Sequence, residues 1–458
     1  MHDFDLIIVG TGSGNMIPGP DFDDWNVAII EKGVFGGTCL NVGCIPSKML
    51  VYAADVAETI RHAGTYGIEA EVNDVDWPSM VKRVFGRIDP IAAGGERYRV
   101  EGSPNIEVFK GECHFVDHKV VEVDGERLRG RHIVLGAGAR PFIPPVPGLA
   151  DVPFHTSDTI MRLDEVPERL LVLGGGYIAA ELGHVFDAVG SRVTMVNRGE
   201  RLLRAEDDEI SHRFTQIMRR RFDLCLGTSI HRIHQVGDVT HVDLTASGER
   251  RHLEADAVLV ATSRIPNGDL LALEATGVHH DRGRVIVDAA QRTNVDGIWA
   301  FGDLSNDFQL KHLANLEART VAHNLLHPDD VHYVDDTLTP HAVFGSPPIA
   351  AVGITERDAR HARIPHVVVV KPYGTTAYGW AMEDDESFVK IVVHAEARTV
   401  IGAHLLGPQS PILIQQIIQG MAFGLTVDQM AQQMMYIHPA LTEVVENALL
   451  DAVAALDQ

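Results

Sequence analysis

The amino-acid sequence predicts an α/β fold made of two similar parallel-sheet domains and a C-terminal α+β domain. An apolar strand runs into a glycine-rich loop at Gly10, and the same pattern returns at Gly174. Near residue 335 the composition changes to strand runs followed by helical runs. These observations predict two Rossmann-like domains, the first formed by 1–148 and 271–334 and the second by 149–270, followed by a third domain at 335–458.

Composition and charge exclude several classes of function. The chain has 458 residues, 45% of them hydrophobic, and a formal net charge of −24 at pH 7. This charge argues against nucleic-acid binding, which needs a basic face. Because the sequence has four cysteines, no basic leader and no run of 18 apolar residues, we expect a cytoplasmic protein without a membrane span or a disulfide scaffold.

The first glycine-rich loop predicts a dinucleotide site. It contains Gly10, Gly12 and Gly14, and the strand after it ends at Glu31, 21 residues beyond Gly10. Glycines allow the backbone to approach a pyrophosphate, and a carboxylate at a strand end can bind ribose hydroxyls. The loop is irregular, since Asn15 stands where a third Gly or Ala is usual.

A second acidic turn specifies which dinucleotide the first domain binds. Gly302 and Asp303 end a later strand, and a carboxylate in that position can bind a ribityl hydroxyl. Together with the first loop, this turn predicts flavin adenine dinucleotide (FAD).

The second glycine-rich loop predicts a different nucleotide. It contains Gly174, Gly176 and Ala179, and Arg198 and Arg204 follow the end of the next strand. An acid in that place would repel a 2′-phosphate, whereas guanidinium groups can bind one in a bidentate manner. The pattern therefore favours NADPH over a basic surface turn.

Cys39 and Cys44 form the most informative pair in the chain. In an ideal helix, residues five apart have Cα atoms roughly 8–9 Å apart, beyond the roughly 7 Å limit for a disulfide. A redox-active pair therefore requires a distorted turn, which Gly43 and Pro46 allow. A metal site is the main alternative, but no second Cys/His pair with ligand spacing follows, and we predict no metal.

The histidines offer one acid–base candidate. His438 lies five residues before Glu443, so a carboxylate could orient the imidazole, although a His-Pro turn taken alone is more often structural. The remaining histidines, including His231 and His234, show no ligand pattern and are interpreted as surface or core residues.

In this order, the motifs resemble the pyridine-nucleotide disulfide oxidoreductases, which include glutathione reductase and dihydrolipoamide dehydrogenase. The run from Gly36 to Lys48 is highly specific, and the resemblance covers essentially the whole chain. The stretches at 10–15, 85–91, 378–384 and 437–450 resemble the mycothione-reducing branch of the family. One further departure is Ser263, where the family has glycine.

The resemblance implies roles for individual residues. Cys44 would face the flavin and Cys39 would attack the substrate, while His438, held by Glu443, would serve Cys39 of the other subunit of a homodimer through the C-terminal dimerisation domain. Lys48 and Glu181 match a charged pair near the flavin, and Tyr177 matches the residue that gates the nicotinamide pocket. The remaining implied cofactor contacts are Gly37, Thr38, Gly138 and His312 for FAD, and Ile178 for NADPH.

The sequence thus predicts an FAD enzyme that uses NADPH to reduce a low-molecular-weight disulfide, and mycothione is favoured. The acidic segment Asp21 to Trp25 lacks the arginines that glutathione reductase has after its first loop, and it would repel an anionic disulfide. The alternatives are dihydrolipoamide dehydrogenase, a reductase of glutathione disulfide, and a flavin–dithiol redox sensor without turnover.

Overall fold

The computed structural model describes all 458 residues, which form 23 strands and 12 α-helices. The strands, in chain order, are β1 His2–Val9, β2 Val27–Glu31, β3 Ile106–Lys110, β4 Cys113–Asp117, β5 Val120–Val123, β6 Glu126–Leu135, β7 Ala139–Pro141, β8 Arg169–Leu173, β9 Arg192–Val196, β10 Asp223–Cys225, β11 Ser229–Val236, β12 Val239–Ala246, β13 Glu249–Ala255, β14 Ala257–Val260, β15 Arg264–Pro266, β16 His280–Asp281, β17 Arg284–Val285, β18 Ile298–Ala300, β19 His341–Val343, β20 Ile349–Gly353, β21 His366–Pro372, β22 Phe388–His394 and β23 Val400–Leu406. The α-helices are α1 Gly37–Asn41, α2 Cys44–His62, α3 Trp77–Glu101, α4 Ser157–Ile160, α5 Tyr177–Ala188, α6 Asp208–Arg221, α7 Lys311–Leu326, α8 Glu356–His361, α9 Ala377–Ala381, α10 Ser410–Ala422, α11 Val427–Gln432 and α12 Glu443–Leu456.

The first sheet has seven strands in the order β3-β2-β1-β6-β5-β4, with β18 paired to β6. β1, β2, β3, β6 and β18 are parallel where they pair, and β4 and β5 form antiparallel pairs. The apolar run of β1 is buried on both faces, as a parallel strand covered on two sides requires. Because β18 returns to this sheet late in the chain, the arrangement accords with a first domain in two segments, while the residue boundaries stay a prediction.

The second parallel sheet has the order β10-β9-β8-β14, and α5 connects β8 to β9. A separate antiparallel sheet, β11-β12-β13, follows in the chain. The run from Leu253 to Ala261 contributes to both of these sheets. The run divides at Asp256 into β13 and β14, because the Asp256 carboxylate accepts the backbone N–H of Arg169 and turns the chain from one sheet to the other.

The C-terminal domain is an antiparallel sheet of order β19-β20-β23-β22-β21 with helices packed on it. Its core joins the sheet to α10, α11 and α12 through buried aliphatic residues such as Ile391, Ile417 and Leu449. These sheets and their helices confirm the predicted α/β fold class with a C-terminal α+β domain. None of the helices combines the length and apolar character needed to cross a membrane.

A buried ion cluster joins the second and third domains. The Nζ of Lys390 lies 2.7 Å from Asp207 Oδ1 and 2.7 Å from Glu356 Oε2, and both Lys390 and Asp207 are almost fully buried. Burial opposes the charged form of Lys390, yet its hydrogen bonds to Asp207 and Glu356 raise its pKa. Because Asp207 also caps α6, the cluster fixes this helix against the third domain.

Replacing Lys390→Met should destabilise the protein, because it leaves the buried Asp207 carboxylate without a counter-charge. Breaking a buried pair costs about 3–5 kcal/mol, which for a chain of 458 residues should lower the thermal unfolding midpoint by about 3–5 °C. The matched control is Lys371→Met, since Lys371 pairs with the half-exposed Asp451. That pair should contribute about 0–1 kcal/mol. Equal midpoints for the two variants in scanning calorimetry would contradict a structural role for the cluster.

Candidate active site

The two cysteines of the predicted pair lie on either side of a break between two helices. α1 ends at Asn41 and α2 begins at Cys44, with Val42 and Gly43 outside helical geometry. A Cβ on Gly43 would lie only 2.9 Å from the Thr38 carbonyl oxygen and 3.3 Å from the Cys39 Cα. This close approach draws the two cysteines together, and the expected distorted turn is confirmed.

The two thiols differ in acidity. Both cysteines are free, and hydrogen bonding between the two thiols is the largest influence on the pKa of each. That bond lowers the pKa of Cys44 to about 7, and the nearby charge of Lys48 acts in the same direction. The same bond raises the pKa of Cys39. Cys44, at the N-terminus of the 19-residue helix α2, is therefore the thiolate of the pair and Cys39 the proton donor.

Lys48 and Glu181 form an ion pair beside the cysteines. The Nζ of Lys48 lies 2.6 Å from Glu181 Oε2, and the other carboxylate oxygen accepts the backbone N–H of Phe344 at 3.0 Å. Glu181 is buried, whereas Lys48 is one helical turn after Cys44 and partly exposed. The pair thus joins the first, second and third domains close to the dithiol.

The first glycine-rich loop packs backbone against backbone with the start of α1. Gly10 has φ +97°, and a Cβ there would lie 2.4 Å from the Gly136 carbonyl oxygen. A Cβ on Gly37 would lie 2.7 Å from the Cα of Gly12. Only glycines allow these approaches, so the loop presents backbone to a ligand, as a pyrophosphate site requires.

Two carboxylates beside this loop fit a flavin dinucleotide. Glu31 Oε2 accepts hydrogen bonds from the N–H and hydroxyl of Thr11, and Oε1 accepts from Gly33 N–H. These bonds hold the carboxylate at the end of β2, where ribose hydroxyls would reach it. Asp303 is half-buried, its carboxylate accepts no side-chain hydrogen bond, and burial raises its pKa. A ribityl hydroxyl of FAD could donate a hydrogen bond to this carboxylate. The residues present therefore fit FAD.

Several residues that support this site were not identified from the sequence. Arg99, buried on α3, donates to Asn15 Oδ1 at 2.7 Å, to the Asn15 carbonyl at 2.7 Å and to the Pro18 carbonyl at 3.0 Å. Asn15, which replaces the usual Gly or Ala, thus helps to connect the first loop to α3. After this loop the chain forms short 3₁₀ turns where an α-helix is usual. Nothing near Arg99 in the sequence marks it, because its partners lie 81 to 84 residues away.

Helix α7 supports the same loop from the other side. Lys311 Nζ donates to Ser13 Oγ at 2.9 Å, and Ser13 Oγ donates to Asn315 Oδ1 at 2.8 Å. The buried Glu317 accepts the Gly302 N–H at 2.7 Å and so holds the turn that carries Asp303. These residues could not be recognised without the fold, since the first loop and α7 are about 300 residues apart in the chain.

The second glycine-rich loop has the regular form. Gly174 has φ +138°, and a Cβ there would lie 2.2 Å from the Ala261 carbonyl oxygen. Gly176 faces open space and caps α5, whose first residue, Tyr177, is exposed, followed by the half-buried Ile178. Arg198 and Arg204 are exposed, and neither pairs with a carboxylate, so both are available to an anion. The arrangement fits a nucleotide that carries a 2′-phosphate.

The other predicted residues lie at the margins of this region. Gly138 has φ +65° and its carbonyl accepts the Asn267 N–H, whereas Thr38 is exposed on α1. His312 Nε2 contacts the Pro340 carbonyl at 2.8 Å. Ser263 does not have a positive φ, so replacement of the family's glycine introduces no backbone strain there.

His438 and Glu443 come together as predicted, but neither forms a hydrogen bond or ion pair with the cysteine pair. His438 Nδ1 lies 2.6 Å from Glu443 Oε1, and the His438 side chain is 72% exposed. Its other ring nitrogen has no hydrogen bond within the chain, and no ion pair or hydrogen bond joins it to Cys39. The carboxylate therefore orients an imidazole that is open to solvent.

Comparison with known proteins covers almost the whole chain. Residues 4–318 match the family model of the pyridine nucleotide-disulphide oxidoreductases, and residues 339–449 match the dimerisation domain of that family. Mycothione reductase of Mycobacterium tuberculosis is 47% identical, over 98% of this chain and 99% of that protein. Dihydrolipoyl dehydrogenase of Chlamydia trachomatis is 32% identical, over 98% and 96%.

A solved structure has the same fold. The HOCl-induced flavoprotein disulfide reductase RclA from Escherichia coli superposes with a TM-score of 0.85 at 28% identity, over 97% of this chain and 99% of that one. The predicted family and cofactors are confirmed. The chain belongs to the pyridine nucleotide-disulphide oxidoreductases, and it is an FAD-dependent enzyme that uses a pyridine nucleotide to reduce a disulfide.

Proposed function

We propose that this protein is a cytoplasmic homodimer that reduces mycothione with NADPH. The observation that carries the proposal is the 47% identity to a mycothione reductase along nearly the full length of both chains. The paired cysteines, with one acidic thiol and one protonated thiol, supply the chemistry that such a reductase requires. The alternatives of lipoamide, glutathione disulfide and redox sensing become outcomes of the tests below.

FAD, held by the first glycine-rich loop, Glu31 and Asp303, would supply the electron pair that opens the internal disulfide. Opening of the Cys39–Cys44 disulfide leaves a thiolate on Cys44, stabilised by the Cys39 thiol and by Lys48. Cys39, once deprotonated, attacks one sulfur of the substrate and forms a mixed disulfide, and the first thiol leaves with a proton. Cys44 then attacks the Cys39 sulfur, which releases the second thiol and closes the internal disulfide. Two electrons and two protons convert one disulfide into two thiols.

The proton for the leaving thiol would come from His438 of a second subunit. In the chain, this imidazole is exposed and oriented by Glu443. Large apolar side chains near it are also exposed, among them Met435 at 98% and Ile437 at 73%. Exposed apolar patches of this kind mark protein interfaces, and the segment belongs to the matched dimerisation domain. We infer that the active site is shared between subunits.

Charge near the loops supports both the donor and the acceptor. Arg198 and Arg204, unpaired at the surface, would bind the 2′-phosphate of NADPH. Asp21, Asp23 and Asp24 are exposed and form no ion pairs, so the segment after the first loop stays negative. An anionic peptide disulfide would be repelled there, whereas a sugar-based disulfide without carboxylates would not.

A matrix of donors and acceptors tests this proposal. NADPH and NADH are each combined with mycothione, glutathione disulfide and lipoamide, and kcat/KM is measured for every pair. We expect the highest value for NADPH with mycothione. The Arg198→Ala/Arg204→Ala variant should raise KM for NADPH about 10- to 100-fold, since charge-assisted hydrogen bonds contribute about 1.5–3 kcal/mol.

The same variant should leave KM for NADH nearly unchanged. Arg192→Ala is the matched control, because Arg192 is exposed on the preceding strand but pairs with Glu168. Faster turnover of glutathione disulfide or lipoamide would refute mycothione as the preferred substrate. An unaltered NADPH preference in the double variant would refute the arginine assignment.

The acidity of Cys44 predicts a pH profile for alkylation. In the reduced enzyme, the rate at which iodoacetamide labels Cys44 should rise with a midpoint near its lowered pKa of about 7. Cys39→Ala removes the hydrogen-bond donor, so the midpoint should move upward toward the ordinary value of about 8.5. Cys225→Ala removes a buried thiol elsewhere and should change nothing. Peptide mapping by mass spectrometry measures the labelling, and an unshifted midpoint in Cys39→Ala would exclude this hydrogen bond as the cause.

A hybrid dimer tests whether the active site is shared. A Cys39→Ser chain and a His438→Gln chain, carrying different tags, are coexpressed and the doubly tagged dimer is purified. If each site combines Cys39 of one subunit with His438 of the other, one of the two sites is intact and the hybrid retains about half the wild-type activity. Both parent homodimers should be nearly inactive. A hybrid as inactive as its parents would place both residues within one subunit.

A further inference from the structure

The antiparallel sheet β11-β12-β13 carries a group of histidines and carboxylates on its outer face. His241 and Asp243 lie on β12, and His252 and Glu254 lie on β13. The strand register places His241 opposite Glu254 and Asp243 opposite His252. The alternate residues of β12, such as Val242, are buried on the other face. No ligand pattern along the sequence indicates this group, because the pairing of two strands creates it.

The ligand atoms of this group converge. His241 Nδ1 lies 3.0 Å from His252 Nε2, and Glu254 Oε1 lies 4.0 Å from His241 Nδ1. One atom from each of the three residues lies within 4.8 Å of the others. Two imidazole nitrogens bound to one ion at about 2.0–2.1 Å would lie roughly 2.9–3.4 Å apart, which matches the separation of the histidines.

Further contacts orient these ligands. His252 Nδ1 lies 2.8 Å from Asp243 Oδ1, so this nitrogen carries the proton and Nε2 presents a lone pair toward His241. A carboxylate behind a histidine is the usual support of a metal ligand. Glu254 Oε2 accepts from Arg169 at 2.6 Å, which holds the side chain and leaves Oε1 directed at His241. His234 stacks on the His241 ring with 22° between the ring planes and limits its rotation.

We propose that His241, His252 and Glu254 bind a divalent first-row transition ion, with Asp243 as the residue that positions His252. Two imidazoles and one carboxylate suit ions of intermediate softness such as Zn²⁺ and Co²⁺. Water completes the coordination, because His252 and Glu254 are exposed. The site lies outside the dithiol and the two glycine-rich loops.

A second histidine group shows which arrangement does not suit an ion. The rings of His323 and His332 stack with centroids 3.5 Å apart and 11° between planes, so the lone pairs of the two rings lie in separate parallel planes. A metal ion must lie near the plane of each imidazole it binds. His323 Nε2 also contacts the Asp330 carbonyl at 2.8 Å. This group therefore carries no proposal, and it provides a matched control.

The test is a Zn²⁺ titration of the full-length, FAD-loaded protein by calorimetry. Cys39→Ser and Cys44→Ser are introduced first, since thiolates would also bind Zn²⁺. We expect one Zn²⁺ per subunit and a visible absorption band when Co²⁺ replaces it. His241→Asn or His252→Asn should abolish this binding, and Asp243→Asn should weaken it about 10- to 100-fold, whereas His332→Asn should bind as the parent does.

Folding of each variant is checked by retention of FAD and by circular dichroism, and His252 is exposed enough that its replacement should not disturb the sheet. The proposal is overturned if the parent binds no Zn²⁺ at this stoichiometry. It is equally overturned if folded His252→Asn binds Zn²⁺ as the parent does, or if His332→Asn loses binding to the same extent as His241→Asn.

Discussion

The close approach of Cys39 to Cys44 is the constraint on which the rest of the site depends. It exists because the chain breaks helical geometry at Val42 and Gly43. A side chain at Gly43 would meet the Thr38 carbonyl and push the two helices apart. Continuous helix would leave the thiols too far apart for a bridge. One glycine therefore decides whether two cysteines act as a dithiol or as two separate thiols.

Helix α2 connects this dithiol to the nucleotide site. Its N-terminus carries Cys44, its second turn carries Lys48 paired with Glu181, and Asp55 further along lies 2.9 Å from the buried His184. Glu181 and His184 both belong to α5, which begins at Tyr177. The residue proposed to gate the nicotinamide and the thiolate of the pair are thus held by two packed helices. A shift of either helix would alter both ends of the electron path together.

Local patterns in the sequence were enough to identify the parts of the site, but not their supports. Local sequence patterns identify Gly10, Gly174, Cys39 and Cys44. Each of these residues depends either on a backbone conformation that glycine favours or on a partner close in the chain. Arg99, Lys311 and Glu317 act across 15 to about 300 residues, and nothing in their own surroundings distinguishes them from surface charges. The histidines of β12 and β13 were dismissed because strand register, which brings them together, is not visible in the sequence.

Because the net charge is −24, individual cationic side chains have a large effect on where this molecule can bind an anion. A uniformly acidic surface would repel NADPH as well as an anionic disulfide, so the donor can be bound only where positive charge is concentrated. Screening limits electrostatic fields to about 8–10 Å at physiological salt. The charges close to each loop therefore determine which anions can bind there. Arg198 and Arg204 stay free of carboxylates, whereas Arg192, six residues before Arg198, is neutralised by Glu168. Near the first loop the opposite holds, because Asp21, Asp23 and Asp24 have no cationic partners. We infer that the second loop binds NADPH and that the first loop repels an anionic disulfide. The positions of a few unpaired charged side chains determine this difference.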